Sequence, residues 1–265
     1  MYQTKYHRPA SIDDAVAALA AAEDGKFLSG GQTLLATMKQ RLAAPTDLVD
    51  LRGIPGLSGI TVDADGVTIG AATIHADVAA SSEVAAAIPA LAALASHIGD
   101  PSVRNMGTIG GSLANNDPAA DYPAAVLGLN GTVITNQREI PAEEYFVGLF
   151  TTALEEGEII KAVRFPRPKR AAYQKFAQPA SRFALVGVLV AETDDGVRVA
   201  ITGAGSDGVF RAGAFEAALN GDFSAGALDG ASVDADDLMN DIHATPEYRA
   251  HLARVLAQRA VKAAG

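Results

Sequence analysis

The sequence predicts an α+β fold in three parts, on three observations. Residues 1–55 run strand, glycine-rich loop, helix and strand; residues 56–168 mix hairpin signals with helical runs; residues 169–265 place three strand-like runs ahead of helical sequence. Tight hairpin turns join neighbouring strands, and such neighbours are antiparallel, which argues against a doubly wound parallel sheet.

The first helix opens at Ser11-Ile12-Asp13-Asp14 and runs to about Ala22. Ser11 is a capping residue, and the two acids stand where the helix dipole favours negative charge. Lys26-Phe27-Leu28 is a short strand that delivers the chain into Ser29-Gly30-Gly31-Gln32-Thr33. A helix over Thr33 to Arg41 carries Leu34, Leu35 and Met38 on one side, and Asp47 to Leu51 forms the next strand. Ile54-Pro55-Gly56 ends this α/β unit.

In the second part, Ile60–Val62 and Val67–Gly70 flank Asp65-Gly66, a hairpin turn signal. His75–Ala80 and Ile88–Ile98 have helical composition. Gly99-Asp100-Pro101 then leads to a second glycine pair, in Thr108-Ile109-Gly110-Gly111-Ser112. A helix follows over Pro123–Leu129, and strands over Thr132–Thr135 and Ile159–Phe165. The prolines and cations of Phe165 to Arg170 mark a boundary. Beyond it, strands are expected at Tyr173–Phe176, Ala184–Glu192 and Val197–Thr202, the last two joined across Asp194-Asp195-Gly196. Helices over Gly213–Leu219, Val233–Met239 and Pro246–Ala264 would back this three-stranded antiparallel sheet as a helical bundle.

Composition narrows the chemistry. A net charge of −10 disfavours nucleic acid and anionic membrane as partners. The chain holds no cysteine, so it offers neither a disulfide, nor a thiolate nucleophile, nor the thiolates of an iron–sulfur cluster. The start, Met1-Tyr2-Gln3-Thr4-Lys5-Tyr6, lacks a signal-peptide core, and no apolar run is long enough to span a bilayer. A cytoplasmic location is expected.

The two glycine pairs carry the functional signal. Without Cβ atoms, their backbone N–H groups can point into a common concavity, and two such loops could hold the two phosphates of a dinucleotide from opposite sides. One pair alone is more often only a turn; two matched pairs make that reading far weaker. The second pair runs into Asn115-Asn116-Asp117-Pro118-Ala119-Ala120-Asp121, where Asp117 and Asp121 either cap a helix or accept hydrogen bonds from ribose hydroxyls, with Asp121 the better ligand candidate. Tyr173 and Lys175 lie on one face of their strand. They either meet an isoalloxazine ring or form a half-buried tyrosine beside a solvated lysine.

Other motifs read as structural. Gly203-Ala204-Gly205-Ser206-Asp207-Gly208 matches GxGxxG, but its strand has an antiparallel hairpin neighbour, whereas a nicotinamide fingerprint opens a parallel βαβ unit. It is taken as a strand-to-helix turn. None of the five histidines has metal-ligand spacing; His75 either begins a helix near a ligand or, the favoured reading, is satisfied by local hydrogen bonds.

Phe27 to Leu35 with Met38 and Arg41, and Arg104 to Ala114 with Asp117 to Asp121, resemble the two FAD-binding motifs of the molybdenum hydroxylase flavoproteins. The whole chain resembles the medium subunit of the aerobic carbon monoxide dehydrogenase and xanthine dehydrogenase family. The resemblance implies a two-part FAD-binding domain, a small α/β subdomain (1–55) plus a mixed α+β subdomain (56–168), followed by the C-terminal domain (169–265). It implies noncovalent FAD held by Ser29, Gly30, Gly31, Gln32, Thr33, Thr108, Gly110, Gly111 and Ser112. Asn115 stands where many relatives have histidine, Asp121 matches the ribose-binding acid, and Tyr173 and Lys175 fall beside the flavin ring. Gln178 to Ala184 lacks an aspartate common in the family. Iron–sulfur clusters and the molybdenum cofactor would belong to a small and a large partner subunit. The flavin would pass electrons from those clusters to an external acceptor, and the chain alone would not act on substrate. The rival readings are a stand-alone nicotinamide-dependent oxidoreductase using Gly203 to Gly208, and a flavin storage or assembly protein.

Overall fold

The computed structural model describes residues 2–265; Met1, the first residue of the amino-terminal segment, lies outside them. The chain begins with β1 (Lys5–His7), α1 (Ile12–Ala20), β2 (Gly25–Leu28), α2 (Leu34–Lys39) and β3 (Asp47–Asp50). The strands form a parallel sheet in the order β1-β3-β2, and the two helices supply the crossovers that parallel neighbours require. Strand β1 was not expected, because three residues are too few to show a period. Ser11 caps α1 as its residue type suggests, its Oγ accepting the Asp14 N–H at 3.1 Å. Ala15, Val49 and Ile54 share a core with Leu57 and Ile159, so this unit is packed onto the next.

The second part comprises β4 (Ile60–Val62), β5 (Gly66–Gly70), α3 (His75–Ala80), α4 (Ser82–Ala87), α5 (Pro89–Ser96), α6 (Pro101–Arg104), α7 (Ile109–Asn115), α8 (Tyr122–Gly128), β6 (Thr132–Thr135), β7 (Glu139–Pro141), α9 (Ala142–Tyr145), β8 (Phe146–Gly148), β9 (Thr151–Thr152) and β10 (Ile160–Pro166). Its five-stranded sheet, β4-β5-β10-β6-β7, is antiparallel throughout. Val67, Ile69, Val133, Val163 and Phe165 from the sheet meet Leu91, Leu94, Ile109, Leu113 and Val126 from the helices in the main core. The second glycine pair is not in a loop. It forms the first turn of α7, because Thr108 is extended and caps that helix.

The third part contains β11 (Arg170–Ala177), β12 (Ala184–Thr193), β13 (Gly196–Gly205), β14 (Gly208–Arg211), α10 (Gly213–Gly221), a 3-10 turn at Ala225–Leu228 and α11 (Pro246–Ala263). The three expected strands are present and a fourth, β14, extends the antiparallel sheet. Gly203 to Gly208 therefore forms a strand-to-strand hairpin, not a strand-to-helix turn. Gly203 has φ +79° and Gly208 φ +109°, and a Cβ on Gly205 would lie 2.5 Å from the Gly208 carbonyl oxygen. The fingerprint spacing is the glycine requirement of a tight, bulged hairpin.

The helix expected over Val233–Met239 is absent. The segment lies along the end of β13 instead, where Met239 N–H bonds the Ala204 carbonyl at 2.8 Å and Asp237 accepts from Ser206. Two helices and a 3-10 turn thus stand where a helical bundle was expected. Strand β12 is covered on both faces: Val186, Val188 and Val190 face the core shared with α10 and α11, while Leu189 and Ala191 join the core of the second part. Residues 167–169 join β10 to β11, and Tyr173 and Ala200 also lie in the core of the second part.

Candidate functional site

The two glycine motifs, 80 residues apart from Gly30 to Gly110, come together in the lining of a cavity of about 520 Å³. Ser29 to Leu34, much of Gly107 to Asp121, and Ser181-Arg182-Phe183 contribute to that lining. Apolar side chains such as Leu57, Ile98 and Ile160 line much of the remainder, the usual composition of a cofactor site.

The motifs differ in what they contribute. Gly31 turns the chain with φ +69°, a conformation costly for any residue with a Cβ. Among the described residues, nothing accepts a hydrogen bond from the backbone N–H groups of Gly30, Gly31, Gln32 or Thr33. These donors suit a phosphate. The second motif's amides are already engaged: Ile109 N–H bonds Thr73 O at 3.2 Å, Gly110 N–H bonds Ala71 O at 2.9 Å, and Gly111 N–H bonds Thr108 Oγ1 at 3.1 Å. The expectation that both loops offer backbone donors is corrected accordingly. The second pair provides close approach: a Cβ on Gly110 would lie 2.6 Å from Ala71 Cβ. A Cβ on Gly30 would collide with the Met106 carbonyl and lie 2.7 Å from Gly107 Cα.

The acid segment after α7 resolves into two roles. Asp117 Oδ1 accepts the Ala119 N–H at 2.9 Å, a local turn. Asp121 precedes α8 but makes no side-chain capping bond to it. Its Oδ1 accepts from Tyr173 Oη at 2.6 Å and its Oδ2 from Lys175 Nζ at 2.9 Å. Burial pushes the Asp121 carboxyl up, against the pull of the Lys175 ammonium and the Tyr173 hydroxyl. Burial and the adjacent Asp121 raise Tyr173 well above its ordinary range, so it remains a donor.

The C-terminal sheet grips the same segment by its backbone. The single Thr202 hydroxyl proton is directed to Ala120 O at 2.6 Å, with Pro118 O alongside at 3.0 Å, and Gly203 N–H donates to Pro118 O at 2.7 Å. The glycine of the rival fingerprint is thereby used in holding the acid segment.

Ser29, Gly30, Gly31, Gln32, Thr33, Thr108, Gly110, Gly111, Ser112, Asn115 and Asp121 all line the cavity. Tyr173 and Lys175 do not; the structure sets them behind Asp121, with their polar ends turned to its carboxylate. The sequence showed that the two share a strand face but carried no sign that an acid 52 residues earlier meets them.

His75 lines the cavity, so of its two sequence readings the less favoured one, a histidine opening a helix near a ligand site, fits the structure. It begins α3, is 4% exposed, and its Nδ1 has no hydrogen-bond partner, contrary to the expected local satisfaction. Burial, with a smaller contribution from Arg104, brings its pKa down to about 4, so the ring is neutral. Gly107 leaves room for it: a Cβ there would lie 2.6 Å from His75 Nε2. Arg182 and Phe183 were missed as lining residues. Among the described residues, no group of three or more His, Asp or Glu could hold a metal ion, and no helix is long and apolar enough to cross a membrane.

The donor set fits a dinucleotide: four free amides for a pyrophosphate, a paired carboxylate for hydroxyls, and apolar walls for rings. Comparison with known proteins agrees. Residues 2–168 match the family described as FAD binding domain in molybdopterin dehydrogenase. The chain is similar to the nicotine 6-hydroxylase medium subunit of Paenarthrobacter nicotinovorans, at 38% identity over 98% of this chain and 97% of that one. It is similar to the carbon monoxide dehydrogenase medium chain of Hydrogenophaga pseudoflava, at 33% identity over 98% and 96%. Its fold matches a solved carbon monoxide dehydrogenase from Hydrogenophaga pseudoflava which lacks the Mo-pyranopterin moiety of the molybdenum cofactor. There the TM-score is 0.89 at 35% identity, covering 99% of this chain and 97% of that one.

Proposed function

Because this chain belongs to the family of FAD-binding domains in molybdopterin dehydrogenases, we propose that it is the electron-transfer subunit of a molybdenum hydroxylase complex. It takes electrons from iron–sulfur clusters on a small partner subunit and delivers them to an external acceptor, while a large molybdenum-binding subunit oxidises the substrate. A cytoplasmic location is part of the same proposal. The observation that carries the reading is the run of four unbonded amides, Gly30 to Thr33, in the lining of the same cavity as the paired acid Asp121.

FAD bound there would supply a centre that takes up electrons singly, as iron–sulfur clusters deliver them, and releases them singly or in pairs. The protein's own work is placement. Gly30, Gly31, Gln32 and Thr33 would hold the pyrophosphate with backbone N–H groups, which need no cationic side chain in a chain of net charge −10. Ser112, Asn115 and Asp121 would meet hydroxyls and polar edges. Leu57, Ile98, Ile160 and Phe183 would exclude water from the rings. With no cysteine in the chain, attachment through a thiol is excluded, and clusters must come from the partner.

The test has two arms. Acid precipitation of the purified chain should release about one FAD per chain into the supernatant. Substrate should reduce that flavin only when the two partner subunits are present. Flavin retained in the pellet defeats the noncovalent reading, and reduction by the isolated chain defeats the subunit reading. A complete absence of partner-dependent reduction would favour storage or assembly.

A further inference from the structure

Lys175 presents an unusual charge placement. Its side chain is 3% exposed and that of Asp121 4%, so a full ion pair is buried at 2.9 Å directly behind the cavity wall. A buried carboxylate with no partner would take up a proton to escape the desolvation cost. Here one oxygen accepts from Lys175 and the other from Tyr173, which leaves about two acceptor positions of the carboxylate free for a ligand. Lys175 is anchored from the other side by the His97 carbonyl at 3.1 Å. Both donors come from β11, which pairs with β12 along its length, so the rigid sheet sets their geometry.

We propose that Lys175 and Tyr173 are positioning residues, which favour the charged form of the Asp121 carboxylate and orient it at the cavity wall so that it accepts hydrogen bonds from the hydroxyls of bound dinucleotide. The proposal rests on the FAD reading above. It differs from a lysine acting directly on a flavin ring, because the ammonium does not reach the cavity surface and is engaged by Asp121 and His97.

The other charged or titratable groups around the carboxylate do not take over this task. His97 contributes its backbone carbonyl to Lys175 and a weaker favourable charge to Asp121. Tyr122, next in sequence, has a buried hydroxyl without a partner and is raised above its ordinary range, so it is uncharged. His75, whose ring centroid lies 5.3 Å from that of Tyr122, is neutral above about pH 4. Asp117 is occupied by the Ala119 amide and is itself raised by burial. Lys175 is the cation in direct contact.

The experiment is FAD titration of the full chain, stripped of flavin, followed by flavin fluorescence from pH 6 to pH 8.5. Wild-type affinity should vary by no more than about threefold over this range. In Lys175→Met, the Tyr173 hydroxyl and the weaker His97 charge alone oppose the rise that burial imposes on Asp121, and the protonated acid is the poorer acceptor. Its Kd should therefore rise at least about tenfold as pH falls from 8.5 to 6. The double variant Lys175→Met/Asp121→Asn has no acid to titrate and should lose that pH dependence. A purely structural lysine would weaken binding equally at every pH, and that result overturns the proposal. So does a double variant as pH-dependent as the single one. Tyr173→Phe, which removes one hydroxyl, keeps the test decisive if the lysine variants fail to fold. The pH below which its binding weakens should lie above that of wild type, and superposable curves refute the role. A wild-type chain that binds no FAD at any pH refutes the flavin reading itself.

Discussion

Ser29 Oγ lies 2.7 Å from Thr108 Oγ1, joining two glycine motifs that are 79 residues apart in sequence. The same Thr108 oxygen accepts the Gly111 N–H and so caps α7. One hydroxyl thus sets the start of a helix and ties it to the first glycine loop. Replacing Thr108 by alanine removes both functions. A lost cap costs about 0.5–2 kcal/mol, so thermal unfolding should move down by several degrees and FAD retention should fall. Ser29→Ala, which leaves the cap intact, should lower retention with a smaller change in melting. Equal melting losses in the two variants would refute this division of roles.

Glycine substitutions separate backbone strain from collision. Gly31→Ala forces a Cβ into a left-handed conformation at φ +69°, at a cost of about 1–2 kcal/mol. Gly30→Ala drives a Cβ into the Met106–Gly107 backbone, which cannot yield by a rotamer change, and should lose FAD more completely. Gly221→Ala, with nothing within 4 Å, is the neutral control. Gly205 would not serve as one, because it packs against Gly208 and Phe210. Flavin content per folded chain, with melting temperature, ranks the three.

The neutral burial of His75 makes stability fall in acid. Its pKa in the fold, about 4, lies below the unfolded value of 6.5. The unfolded state therefore binds more protons through this window, and stability present above pH 6.5 drains away as pH falls towards 4. Between pH 7 and pH 5 the loss should be on the order of 2 kcal/mol. His75→Leu should remove that part of the pH dependence. Urea unfolding at both pH values, in both proteins, measures it; an unchanged difference would exclude His75 as its source.

Thr202 links the C-terminal sheet to the acid segment. Thr202→Val keeps the shape but removes the donor to Ala120 O. Fold stability should drop by about 1–3 kcal/mol, since a buried carbonyl loses a partner. FAD affinity should fall as well, because Asp117 to Asp121 is no longer held in place. Lowered stability with unchanged affinity would show that the segment keeps its position without the sheet.

The local rules were legible in the sequence, and the distant pairings were not. Ser11 capping α1, the Asp194 to Gly196 turn and the two glycine pairs at the cavity all follow from residues within a few positions of one another, and their chemistry alone specifies them. The same local reading could not tell a fingerprint turn from a bulged hairpin at Gly203 to Gly208. The choice depends on which strand lies alongside β13, and Phe210 and Arg211 of β14 do so. Nor could it show that the amides of Ile109 and Gly110 are consumed by Thr73 and Ala71, leaving the free donors to Gly30 through Thr33. A donor's availability depends on what folds against it. Tyr173 and Lys175 shared a strand face on sequence grounds, but only the tertiary placement of β11 brought them to Asp121, 52 and 54 residues away. Sequence by itself determined which residue types stood ready to hold a dinucleotide. Tertiary structure decided which of them face it and which hold the others still, because burial and long-range pairing assign each polar group its partner.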